Sequence, residues 1–403
     1  MNVIFIHQNF PGQFRHIAEY MAGTTDNRII SISQDHAPKL KNVKRLTYKP
    51  GRATTKGIHP YLVSTEAYIL NGQAVARKLL ELKNNGFLPN VIFAHTGWGE
   101  ALYVKDIFPD VPLVGFFEFF YHASGADVGF DPEYPLSLDD ALRVRTRNAI
   151  HLLSLDAVDF GITPTQWQKS VFPHEYWPKL SVVHEGIRPA DTLPLADPGL
   201  RLPSGKFLTK NDKVITYVAR NLEPYRGFHI FMRAVAEICK RNPAVHIVIV
   251  GGDDVSYGNR LPKGDSYRKR ALVEVKIDTD RVHFLGQIPY QQYLDVLSIS
   301  LAHVYLTVPF VLSWSMLEAM SAGCLVVGSD TPPVREVIRD GENGILVDFF
   351  SPNAIADAVE KVIGSPDGLQ SFRQAARRTI LENYMLDFGI SGYRKIIEAT
   401  QVD

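Results

Sequence analysis

The stretch Ser313-Trp314-Ser315-Met316-Leu317-Glu318 is a short polar loop running into a helix that carries one glutamate in its first turns, with the buried strand Leu325-Val326-Val327 beyond it. The start of a helix offers unpaired backbone N–H groups and a partial positive charge, which suits a diphosphate, and a carboxylate nearby accepts hydrogen bonds from sugar hydroxyls. A nucleotide sugar has both groups. The same residues also fit an ordinary buried αβ unit, whose glutamate sits where the helix dipole favours it.

Other polar groups stand at the ends of apolar runs. After Val214 to Ala219, the residues Arg220-Asn221-Leu222-Glu223-Pro224-Tyr225-Arg226-Gly227 read as a loop before a helix with apolar Phe228, Phe231, Met232, Val235 and Ile238. Two guanidinium groups at the carboxyl edge of a parallel strand can neutralise a diphosphate and the charge that develops on a nucleotide leaving group. Either can instead be solvated or bridge to Glu223. Val250-Gly251-Gly252 is a strand end and glycine turn, permissive for close backbone approach or simply a turn. In the first half, His7 and Asn9 follow one apolar run, His95 another, and Glu118 ends a third among aromatics, with His122 beyond it. A buried carboxylate such as Glu118 has its pKa raised and can act on an acceptor proton or orient a sugar, and it can equally pair with Arg143, Arg145 or Arg147. His7 and Asn9 serve as well as cap and turn residues, and His95 as a structural histidine.

The elements that must position these groups are read from continuous apolar runs, which mark strands buried on both faces. Val3 to Ile6, Arg28 to Ile32, Val91 to Ala94, Leu113 to Phe117, Phe160 to Thr163 and Ser181 to His184 form one series. Val214 to Ala219, His246 to Val250, Val282 to Leu285, His303 to Leu306, Leu325 to Gly328 and Gly344 to Val347 form a second. Between them the proline-rich stretch from Ile187 reads as a linker, assigned to residues 189–211. The fold class is α/β, two doubly wound Rossmann-like domains: residues 1–188 and 212–380, with 381–403 as a C-terminal helix. At 403 residues, 45% hydrophobic and 21% charged, two soluble domains are the default. The 43 basic and 43 acidic residues cancel, so no global field recruits nucleic acid. Cys239 and Cys324 form neither a disulfide framework nor a metal site, which fits a reducing cytoplasm. The apolar run at Val3 to Ile6 is too short for a signal peptide, and no segment approaches a bilayer span. The basic run Lys39 to Lys56, with Tyr48 inside it, reads as a solvated loop, or as a contact for a phosphorylated or lipid-linked acceptor.

The second half resembles the donor-binding half of glycosyltransferase family 4, the retaining GT-B sugar transferases. The matching pieces are the Arg220 to Gly227 loop, Val250-Gly251-Gly252, Val282-His283-Phe284-Leu285-Gly286, the Leu317 to Gly323 helix, and Gly328-Ser329-Asp330-Thr331-Pro332-Pro333-Val334-Arg335-Glu336 with Gly341-Glu342-Asn343-Gly344. The family usually carries two glutamates separated by seven residues. Glu318 matches the second, which the resemblance assigns to the nucleotide ribose; the first aligns with Phe310, so the resemblance shifts its sugar contact to Ser313, Ser315 or backbone amides. The first half is similar in layout: Gly12 takes the place of close approach to donor phosphate, Glu118 the place of a histidine near the transferred sugar, and Glu185 or His184 the strand end before the linker.

The resemblance implies a metal-independent, cofactor-free retaining transferase whose domains face across a cleft. Arg220, Arg226 and Glu118 would be catalytic, and Gly12, Gly251, Ser313, Ser315, Met316, Leu317 and Glu318 would hold the donor, a UDP-sugar before a GDP-sugar. His7, Asn9, His95, His122 and Glu185 would face a glycan, lipid-linked or protein acceptor. Closure would exclude water, and the tail helix would return to the first domain. Peripheral contact with the inner face of a membrane is compatible with this. The rivals are a nucleotide-sugar epimerase or phosphorylase on the same scaffold, and a non-catalytic sugar-nucleotide binder, which the missing glutamate allows.

Overall fold

The computed structural model describes residues 1–24, 26–193, 198–366 and 368–401. They form two compact units, one of Met1–Gly186 with Leu386–Asp403 and one of Ile187–Met385.

In the first unit, strands β1 (Asn2–Ile6), β2 (Arg28–Ser33), β3 (Val43–Thr47), β4 (Val91–His95), β5 (Leu113–Phe116), β6 (Phe160–Thr163) and β7 (Leu180–Val182) make a parallel sheet in the order β3-β2-β1-β4-β5-β6-β7. The sheet order reverses at β1, whose neighbours are β2 and β4. That crevice, at the carboxyl ends of the strands, is where open α/β sheets bind ligands. One face is closed by Phe5, Phe14 and Phe93, with Phe5 and Phe93 stacked at 5.1 Å. The helix Leu386–Ala399 adds Tyr393, Ile396 and Ile397 to the same cluster, so the first unit is built from two separated stretches of chain. Its Gly389 packs against β7's continuation, where a Cβ would lie 2.6 Å from the His184 carbonyl oxygen.

In the second unit, β10 (Lys213–Asn221), β11 (Val245–Gly252), β12 (Val282–Gly286), β13 (Ala302–Tyr305), β14 (Val326–Ser329) and β15 (Ile345–Val347) form a second parallel sheet, ordered β12-β11-β10-β13-β14-β15. Here β10 occupies the switch point. Two short strands precede it, β8 (Gly199–Arg201) and β9 (Phe207–Thr209), paired antiparallel.

Both series of strands read from the sequence are present, and three readings are corrected. The stretch 189–211 is not all linker: β8 and β9 fall inside it, and Leu200, Leu202 and Leu208 are buried against Val214, Val248 and Val296. Residues 194–197 of that stretch lie outside the described residues. The compact units divide after Gly186 and after Met385 rather than at 188 and 380, because Ile187 and Tyr384 are bonded to each other in the second unit. The basic run holds strand β3 and not simply a loop. Its Tyr48 is buried and donates a 2.7 Å hydrogen bond to Glu100, itself fully buried.

Burial pushes the Glu100 carboxyl up to about 7. Its folded pKa exceeds the unfolded one, so the folded state holds the extra proton and stability falls as pH rises from about 4.5 to about 7. Glu100→Gln should remove this loss. The difference between variant and wild-type unfolding free energies is expected to grow by about 3 kcal/mol across that window, read by chemical denaturation at several pH values.

Candidate active site

In the second unit the polar groups gather at the carboxyl edge around β10. Arg220 is the penultimate residue of β10, not a loop residue, because the strand continues past Ala219 and pairs Asn221 with Gly252. It is exposed and has no ion-pair or hydrogen-bond partner among the described residues. Arg226 is different. It is buried, and its Nη1 donates to Thr307 Oγ1 at 2.8 Å, the Val311 carbonyl at 3.0 Å and the Tyr305 hydroxyl at 3.3 Å. That hydroxyl also accepts the Ser313 backbone N–H at 2.9 Å, so Arg226 fixes the segment leading into the helix Trp314–Ser321. Neither arginine bridges to Glu223, whose buried carboxylate accepts the backbone N–H groups of Ser256, Tyr257 and Gly258 at 2.9–3.2 Å.

At that helix start, Ser313 is the N-cap. Its Oγ accepts the Ser315 N–H and lies 2.9 Å from Ser315 Oγ, so one of the free amides expected from sequence is already capped. The side chains of Met316 and Leu317 are fully buried in the apolar core, leaving only their backbone for a ligand. Glu318 is half-buried and accepts hydrogen bonds from the hydroxyls of Tyr290 and Tyr293, at 2.8 and 2.9 Å, on the helix Tyr290–Ser298. Burial raises its pKa, and the two phenols oppose that shift. Phe310 is buried in an aromatic cluster, edge-on to Tyr225 at 5.5 Å and to Tyr257 at 4.9 Å. Gly251 makes its close approach to protein: a Cβ there would lie 2.7 Å from the Leu222 side chain and 2.9 Å from the Ala219 carbonyl oxygen.

In the first unit, Ile6 pairs with Ala94, so the next residues, His7 and His95, stand side by side with ring centroids 4.9 Å apart. His7 Nδ1 accepts the Asn9 N–H, which leaves the proton on Nε2 to be donated to Gln13 Oε1 at 2.8 Å. Gln13 in turn donates to Glu118 Oε1 at 3.1 Å. Burial brings His7 down to about 4 and His95 well below its usual value, so both imidazoles are neutral near pH 7. His95 Nδ1 accepts the Gly97 N–H, and Trp98 stacks on the ring at 4.2 Å. Among the described residues its buried Nε2 has no hydrogen-bond partner, an unmet donor that costs about 1–3 kcal/mol without a ligand to receive it.

The remaining sequence candidates are held elsewhere. Asn9 is exposed and bonds His36, and His122 bonds the Val171 carbonyl at 2.6 Å. Glu185 is buried where its own carbonyl meets Gly389. Arg147 reaches the Tyr121 hydroxyl and Arg143 reaches Asp140. Gly12 adopts a left-handed backbone with φ of +46°, and a Cβ there would lie 2.3 Å from His7 Nε2. Gly12→Ala is therefore expected to cost about 2 kcal/mol of stability and to break the His7–Gln13 bond, read by denaturation and by the His7 imidazole NMR signals.

Sequence reasoning missed Gln13, Tyr290 and Tyr293, Tyr305 and the loop-holding role of Glu223. The tyrosine pair was readable as two hydroxyls three residues apart on one helix face. The others join partners far apart in sequence and left no local signal.

Two parallel sheets with their polar groups at both switch points are the halves of a GT-B glycosyltransferase. Residues 25–191 match the family described as glycosyl transferase family 4 group, and residues 203–379 match glycosyl transferases group 1. The chain belongs to glycosyltransferase family 4. Among curated relatives, the D-inositol 3-phosphate glycosyltransferase of Corynebacterium glutamicum is 30% identical over 155 residues, 38% of this chain and 35% of that protein. The phosphatidyl-myo-inositol mannosyltransferase of Mycobacterium tuberculosis is 29% identical over 182 residues, 43% of this chain and 44% of that protein. The chain thus spans less than half the length of these relatives. Anabaena HepE, solved with UDP and glucose, shares the fold with a TM-score of 0.71 at 16% identity, covering 99% of this chain and all of that one. Sucrose-phosphate synthase of Thermosynechococcus elongatus does so at 0.71 and 17%, with the same coverage. Among the described residues no helix is long and apolar enough to cross a membrane.

Proposed function

We propose that the chain transfers a sugar from a nucleotide-sugar donor, a UDP-sugar before a GDP-sugar, to an acceptor hydroxyl with retention at the anomeric carbon, in glycan or surface polysaccharide synthesis. The carrying observation is Arg220, an exposed cation with no partner among the described residues, at the switch point of the sheet whose helix Trp314–Ser321 bears Glu318. HepE, solved with UDP and glucose, supports a uridine donor.

In this reading Glu318 accepts ribose hydroxyls, and Arg220 with the amides at the helix start holds the diphosphate. As the bond from the anomeric carbon to the diphosphate oxygen breaks, the electron pair goes to the diphosphate, where Arg220 stabilises it. The acceptor oxygen attacks from the same face, and its proton passes to the leaving phosphate oxygen. No protein base and no metal is then needed. The neutral His7 and His95 and the Glu118 carboxylate orient the acceptor and the transferred sugar.

Phe310 favours a second reading, a non-catalytic sugar-nucleotide binder, because no carboxylate stands at its position. Thermal shift and donor hydrolysis with UDP- and GDP-sugars separate the two. Stabilisation with slow hydrolysis that Arg220→Ala abolishes is expected for a transferase. Stabilisation without turnover with any acceptor would establish the binder, and no stabilisation would remove the donor site.

A further inference from the structure

The connection from β11 to the helix Tyr267–Glu274 runs from Asp253 to Ser266, well beyond the roughly 2–6 residues usual between a strand and the next helix. It is pinned along its length. Glu223 accepts the N–H groups of Ser256, Tyr257 and Gly258, and the Tyr267 hydroxyl donates to the Asn259 carbonyl at 2.9 Å. Between this loop and the end of β10 lies a cavity of about 520 Å³, within the range of small-ligand pockets.

Asn221 forms the β10 side of the cavity and is only 6% exposed. Its Nδ2 donates to Ser256 Oγ at 2.8 Å, whereas its Oδ1 has no hydrogen-bond partner among the described residues. That oxygen stands beside Gly252, where a Cβ would come within 2.6 Å of it, so the glycine keeps the approach clear. The loop side carries the carboxylates of Asp253, Asp254 and Asp265 and the guanidinium of Arg260. Asp253 is neutralised by Arg268, and Asp265 by Arg270, whose Nε lies at 2.9 Å. Asp254 and Arg260 are exposed and make no hydrogen bond or ion pair among the described residues. The groups left for a ligand are therefore a buried amide oxygen, one carboxylate and one guanidinium, two acceptors and a donor whose charges cancel. Hydroxyls both donate and accept, so a neutral ring bearing several of them meets all three at once.

We propose that this cavity is a second carbohydrate site, holding one neutral hexose ring whose hydroxyls donate to Asn221 Oδ1 and Asp254 and accept from Arg260. A ring attached to a diphosphate would set further negative charge beside Asp254 with only Arg260 to meet it. The ring therefore belongs to a glycan and not to a nucleotide donor. The site does not depend on the function proposed above.

The test is titration of the full chain with the methyl glycosides of glucose, mannose, galactose and N-acetylglucosamine, read by saturation-transfer NMR and by the Asn221 side-chain amide signals. Saturable binding of at least one glycoside is expected, with those signals shifting as it binds. Asp254→Asn and Arg260→Gln, both at exposed positions, should each weaken it about tenfold by loss of a charge-assisted contact. Binding should persist in the presence of excess UDP-glucose. The proposal falls if no glycoside binds, if Asp254→Asn and Arg260→Gln bind as wild type does, or if UDP-glucose displaces the glycoside, which would give the cavity to a nucleotide donor.

Discussion

Replacing Glu318 with alanine is expected to lower kcat/KM for nucleotide-sugar turnover about a hundredfold while the protein stays folded. The estimate follows from two charge-assisted hydrogen bonds to donor hydroxyls, each contributing about 1.5 kcal/mol. The carboxylate is already aimed by Tyr290 and Tyr293. Tyr290 is 51% exposed and Tyr293 is 8% exposed, so an incoming hydroxyl is expected to displace the first while the second keeps the carboxylate in place. Because burial raises the Glu318 pKa, protonation removes acceptor capacity at a higher pH than for a free glutamate. Donor affinity should therefore fall as the solution is acidified toward that pKa, and Glu318→Gln should be weak at every pH. Initial rates and donor titrations across pH 5 to 8 decide the matter. Wild-type rates in Glu318→Ala would remove Glu318 from the donor site.

The two arginines should separate sharply. Arg226→Ala strips Thr307 Oγ1 and the Val311 carbonyl of a buried donor, and each orphaned group costs about 1–3 kcal/mol, so a stability loss of about 3 kcal/mol is expected. Turnover should fall with it, because the segment that sets Ser313 loses its brace. Arg220 is exposed and unpaired among the described residues. Arg220→Ala should leave the melting temperature unchanged and lower kcat about a hundredfold or more, as for loss of one group that stabilises developing charge. Paired calorimetry and rate measurements give the answer. Equal stability in the two variants would overturn the positioning role of Arg226, and unchanged kcat in Arg220→Ala would overturn its contact with the leaving group.

Much of this architecture was legible because a strand buried on both faces must be continuously apolar, and Val3 to Ile6 or Val91 to Ala94 can be little else. Strand β3 hid because it lies at the sheet edge with Lys44 and Arg45 partly in water, so its side chains carry no buried run. The β8–β9 hairpin hid because three-residue strands are too short for a period to show. At the site, sequence located the strand ends correctly as the place of polar groups, but could not tell which would be consumed by the protein itself. Arg220 and Arg226 look alike in sequence; only the position of Tyr305, Thr307 and Val311 makes one a brace. His95 and His122 likewise differ in what their Nε2 atoms meet, no partner among the described residues for one and the Val171 carbonyl for the other.

The helix Leu386–Ala399 supplies Tyr393, Ile396 and Ile397 to a core begun by Val3 and Phe5. On the ribosome, the second unit emerges whole before that helix does. The first unit must therefore wait with an uncovered apolar face while roughly two hundred residues are synthesised and fold, a delay of about ten seconds or more at ordinary elongation rates. During that interval the nascent sheet is a client for chaperones, and the order of synthesis makes the second unit the first to become native.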